Sequence, residues 1–206
     1  MPYSHLNCQT ITDPVVRKVF EHADHYFHDV YAMLRLLPPK DGDGGGGNFT
    51  ITLALLCIID GLAREIWPGQ SAFKDPEKRF KTLISRRLPW GKPEGKDKWL
   101  QKGIAADHLY CEFRNPLVHE LASDKPATSR HPGYVEPIIG KWGDLPTELR
   151  MIAKVDGLPE WNDEWPVLSE GEPDENGKPR LKLVAAGLYW AVKRLAIGLV
   201  DDHNAG

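Results

Sequence analysis

An arginine and a histidine stand with four residues between them in the stretch Phe113-Arg114-Asn115-Pro116-Leu117-Val118-His119-Glu120. A guanidinium holds phosphate charge in a rigid fork, and an imidazole moves a proton near neutral pH. These are the parts needed to cleave RNA without a metal or any other cofactor. A base takes the proton of a 2′-hydroxyl, the oxygen attacks the adjacent phosphorus, and the guanidinium stabilises charge building on the phosphoryl oxygens. Asn115 adds a third polar group able to orient either partner. One copy of this set lacks a second proton-transfer group for the departing 5′-oxygen, which a two-fold dimer would supply.

On an unbroken helix, positions five apart point about 140° away from each other, so Arg114 and His119 would not share a face. Pro116 changes that expectation. It has no N–H for the carbonyl of Glu112, and its ring crowds that turn, so the helix must kink or restart. A restart would use Asn115 as N-cap and Pro116 as first residue. His119 would then lie in a first turn, where free N–H groups and the helix dipole favour anions and disfavour the imidazolium. The competing reading is structural: Arg114 pairs with Glu112 or Asp107, and His119 caps or packs in the core.

The elements that must position these groups are helical. Asp13-Pro14 is a capped helix start, and apolar residues from Val15 to Leu37 recur at three- and four-residue steps. The pattern predicts helices over about 13–37, 48–67, 76–88, 97–122 and 181–200. The second is apolar nearly all round and belongs in the middle of a bundle. The glycine tract 41–47 is a connection, since no Lys-Ser/Thr follows it as a phosphate loop requires. Residues 123–180 turn rich in Pro, Gly, Trp and acidic side chains. Within them, Tyr134–Ile139 reads as extended and Thr147–Val155 as helical. Val167–Ser169 and Arg180–Lys182 face each other across an acidic turn as a candidate hairpin. The whole chain, 1–206, reads as a single all-α domain, an antiparallel bundle with a long irregular insertion over 123–180 before its C-terminal helix.

Arg114-Asn115-x-x-x-His119 resembles the Arg-x4–6-His motif of the HEPN superfamily, including the polar residue after the arginine. The resemblance covers that motif and a compatible helix arrangement over 13–122 and 181–200; the insertion has no counterpart in it. It implies a small helical bundle, commonly a homodimer, acting as a metal-independent endoribonuclease. Such enzymes serve in toxin–antitoxin, phage-defence and CRISPR-linked systems. It gives Arg114 and His119 catalytic roles and Asn115 a supporting one, with RNA as substrate and an antitoxin or other regulatory protein as further partner. One branch of the family places a tyrosine two residues after the histidine; here Leu121 stands there. A non-catalytic module that binds RNA, a nucleotide or a partner protein through the same groove is the alternative.

Composition sets bounds on these readings. The 206 residues carry a formal charge of −3, so no global excess of positive charge drives the chain onto nucleic acid or an acidic membrane. Locally the balance differs: residues 64–114 hold twelve Lys/Arg against seven Asp/Glu, and residues 115–180 hold seven against thirteen. Lys78, Arg79, Lys81, Arg86 and Arg87, with Trp90 and Trp99, either line an RNA path or form a solvated basic face. Three cysteines without CxxC spacing suit a reducing compartment, and Cys57 and Cys111 read as small buried hydrophobes. No signal peptide or bilayer-length apolar run is evident, which predicts a cytoplasmic protein without membrane contact. His25 and His28 have carboxylates one helical turn away, a spacing that binds zinc in some proteins and forms surface ion pairs in more. Asp60, Arg64 and Glu65 interrupt the most apolar helix; either one of the three faces the Arg114 site, or Asp60 and Arg64 satisfy each other.

Overall fold

The computed structural model describes residues 4–36, 48–66, 74–90, 102–115, 117, 138–140, 166–171, 173–178 and 180–205. Expectations for His119, Pro116, Trp99 and the Thr147–Val155 helix lie outside these residues.

Helix α1, Pro14–Leu36, begins as the sequence predicts. Asp13 Oδ1 accepts from the N–H groups of Val15 at 2.8 Å and Val16 at 3.2 Å, satisfying donors that have no partner inside the helix. Its buried stripe, Phe20, Ala23, Phe27, Val30 and Leu34, follows the helical period. Helix α2, Asn48–Ile66, packs against α1 and α3, and against the C-terminal helix. Its central place agrees with its apolar character, yet Thr50, Cys57, Gly61 and Arg64 form an exposed stripe. Helix α3, Pro76–Arg87, is capped by Asp75, whose carboxylate accepts from Glu77 N at 2.9 Å. Helix α4, Lys102–His108, continues directly into a π-helical turn, Leu109–Arg114.

The predicted hairpin forms. Strand β2, Leu168–Gly171, pairs antiparallel with β3, Arg180–Val184, and Ser169 lies opposite Lys182. Asp174 organises the turn between them, accepting from Asn176 N at 3.0 Å and Lys178 N at 2.8 Å, while Gly177 takes φ +74°. Strand β1, Ile138–Gly140, falls partly in the expected extended stretch and pairs parallel with β3, giving the sheet order β1-β3-β2. An all-α description is therefore too simple: the fold is mostly helical with a small sheet.

The C-terminal helix, α5, runs Ala185–Ala205, not from residue 181. Leu181 and Leu183 are buried on one strand face and Lys182 is half-buried, so the period there is two. Close approach decides where the strand hands over to the helix. A Cβ at Gly187 would stand 2.1 Å from the Pro166 carbonyl oxygen, so only glycine lets α5 lie against the chain entering β2. Tyr189 of α5 fills the centre of the core, edge-on to Phe27 at 6.2 Å.

Candidate functional site

Arg114 closes the π-helical turn, and its side chain reaches back to α2. Nε and Nη2 both donate to Asp60 Oδ2, at 2.9 and 2.8 Å. Nη1 donates to Asn115 Oδ1 at 3.2 Å. The guanidinium carbon lies 5.2 Å from the centre of the Tyr110 ring, one turn earlier on the same face. Carboxylate, amide and ring thus fix the guanidinium plane. Such a pair between 13% and 28% exposed side chains is desolvated enough that losing either partner is costly.

The structure chooses among the sequence alternatives for Arg114. Its guanidinium pairs with Asp60, 54 positions earlier, and not with Asp107. Asp107 instead binds Lys81 at 2.7 Å. Arg64 lies 4.0 Å from Glu65, leaving Asp60 to Arg114. Asn115 is not an N-cap: its dihedrals are helical (φ −63°, ψ −52°) and its N–H bonds to Tyr110 O. The turn before Pro116 widens to i→i+5 bonding, a deformation that lies just where the proline ring disfavours a regular α-turn. Asn115 nonetheless orients the arginine through its side chain, as its position suggested.

Of this cluster, Tyr110 escaped sequence reasoning, and Lys81 figures in it only as part of the basic run. Tyr110 lies four before Arg114, a spacing that could have flagged it. Its phenol is pushed up by burial, with Arg114 pulling the other way. Lys81 lies 5.3 Å from the same ring and bridges Glu77 at 2.6 Å and Asp107 at 2.7 Å. Burial draws its ammonium down, but the bonds from Asp107 and Glu77 outweigh it and the net shift is upward.

Much of the basic run is thereby committed: Lys81 to two carboxylates and Arg87 to Asp202 at 2.8 Å. Trp90 donates from Nε1 to Ile84 O at 3.1 Å, packed at the end of α3. Lys78 and Arg86 remain on the exposed face.

The cysteine expectation is corrected at two positions. Cys57 is exposed and Cys111 half-buried, because both fall off the core-facing side of their helices. The Cys57 thiol is raised by partial burial and by Asp60 one turn away, with Arg114 opposing. Asp24, from the candidate histidine cluster, turns to the N-terminal segment and accepts from His5 Nδ1 at 2.6 Å. Among the described residues, no three His, Cys, Asp or Glu side chains gather to hold a metal ion, and no helix is long and apolar enough to cross a membrane.

A scan against protein-family models, a search of curated proteins and a search of solved structures each return no match.

Proposed function

We propose that the chain is a metal-independent endoribonuclease of the HEPN kind, acting as a homodimer in a toxin or phage-defence role. His119 moves the proton of the 2′-hydroxyl, Arg114 stabilises the phosphorane-like charge, and Asn115 orients Arg114. What supports this reading beyond the motif is the guanidinium itself. It is held by Asp60 and Asn115 over Tyr110, at a π-helical turn directly before Pro116. A preoriented cation costs no reorganisation when charge develops on a bound phosphate. The mostly helical fold is compatible with the same reading.

A second reading is favoured by one observation. Asp60 already compensates the Arg114 charge, as in a structural pair, which suits a non-catalytic module that binds RNA, a nucleotide or a protein.

Labelled RNA incubated with the protein in EDTA separates the two. Cleavage that falls by about 10²–10³-fold in Arg114→Ala and about 10²–10⁴-fold in His119→Ala supports the enzyme. Binding without cleavage supports the module. Cleavage that requires a divalent ion contradicts both.

A further inference from the structure

Residues 4–11 run over the groove between α1 and α5. Leu6, Cys8 and Ile11 are buried there, while His5, Asn7, Gln9 and Thr10 face outward. Among the described residues, the main chain of this segment bonds to main chain only locally: Cys8 N to Leu6 O at 2.9 Å and Ile11 N to Cys8 O at 3.2 Å. The helices hold it through side chains. Asp24 of α1 accepts from Leu6 N at 3.0 Å and from His5 Nδ1 at 2.6 Å. Lys193 of α5, 4% exposed, donates to Ser4 O at 2.6 Å.

We propose that residues 4–11 are a releasable strap, clipped at Ser4 and Leu6 by Lys193 and Asp24, and that removing the Asp24 charge lifts it from the α1/α5 groove while the bundle stays folded. This inference is independent of the nuclease reading. A segment with three apolar anchors and no main-chain ladder to its support opens at low free energy relative to the core. Opening also returns water to buried polar groups beside the strap. The Lys193 ammonium is buried 5.9 Å from the Trp190 ring and 6.0 Å from the Tyr189 ring. Tyr189 Oη and Trp190 Nε1 are buried with no hydrogen-bond partner among the described residues.

The clip has a pH dependence whose sign follows from linkage. Burial draws the Lys193 amine down to about 8, with Asp24 pulling it partly back. With the strap lifted and the amine in water, it would titrate near the usual 10.4. The open form thus binds more protons between those values, and raising the pH through that window closes the strap. Other titratable groups around the clip are Glu21 and Tyr31 on α1, His5 stacked on His28 at 6.2 Å, and Cys8 and Tyr189. Burial, reinforced by Asp24 and Glu21, pushes Cys8 up to about 11 in the closed strap, so its thiol, freed into water on opening, opposes the Lys193 effect without reversing it by pH 9.5; burial also raises Tyr189.

Pulsed hydrogen exchange on the full chain, corrected for intrinsic rates, tests the strap. At pH 7, Asp24→Asn is expected to speed exchange over residues 4–11 by tenfold or more. The amides of 51–63 in α2 should keep wild-type protection. Raising the pH to 9.5 should slow exchange of the strap in both proteins. A strap that exchanges in step with α2, or that Asp24→Asn leaves unchanged, overturns the proposal. If Asp24→Asn loses its helical circular dichroism, the wild-type pH series decides alone: strap protection must rise between pH 7 and 9.5, and constant or falling protection overturns it.

Discussion

Two opposite-charge arrangements frame this molecule and use their charges differently. At the Arg114 end, Asp60 and the guanidinium bind each other directly, joining the π-helical turn to α2. At the strap end, Asp24 and Lys193 each bind main chain of a third element. The first geometry spends its charges on side-chain orientation, which suits a group that must meet a ligand at a fixed angle. The second spends them on docking a segment. A charge pair near a cleft is therefore informative only when its hydrogen bonds are traced to what they hold.

The largest effect tests the element that carries Lys193. Gly187→Ala forces a Cβ into the Pro166 carbonyl and should cost about 3 kcal/mol or more, read by urea unfolding. A variant within 0.5 kcal/mol of wild type would mean that α5 and the sheet separate freely. Next, Asp24→Ala should cost about 2–3 kcal/mol, because it removes the acceptor of Leu6 N and His5 Nδ1 and with it the docking of residues 4–11. Asp60→Ala should cost less, about 1–2 kcal/mol, since Arg114 and Asp60 are nearer solvent. Equal losses would erase the contrast between the two pairs. The Lys193 contribution to stability should rise by about 2–3 kcal/mol as pH goes from about 8 to 10.5, because the unfolded chain keeps that proton longer than the folded one, while the raised Cys8 and Tyr189 act in the opposite sense. Thermal melts at pH 7.5 and 10 in Lys193→Met against wild type isolate that contribution. The smallest change is Gly177→Ala, about 1 kcal/mol from its left-handed φ, seen as fraying of the β2–β3 hairpin.

Local chemistry made the helix starts legible. Asp13-Pro14 and Asp75-Pro76 carry cap and first residue side by side, and both begin helices where expected. The hairpin was legible because Leu168 and Leu183, apolar and opposite each other, flank a turn rich in Asp, Asn and Gly. The Arg-Leu-Lys-Leu-Val run carried a two-residue period, but the strong helical signal downstream masked it. The Asp60–Arg114 pair was legible only as one alternative, since nothing local connects residues 54 apart. The π-helical turn could not be read at all. Proline announces that a helix must deform, and it leaves open whether the chain restarts or widens.

The joint between β3 and α5 also governs how the chain could change in length. Gly140 pairs with Val184 from one side, and the carbonyl of Val167 accepts from Val184 N at 2.9 Å on the other. Gly140 and Val167, the described residues on either side of positions 141–165, thus both stand against one valine. A stretch whose ends are already neighbours adds little closure entropy when lengthened or trimmed. New sequence grafted between these two residues should leave the helices behind them undisturbed.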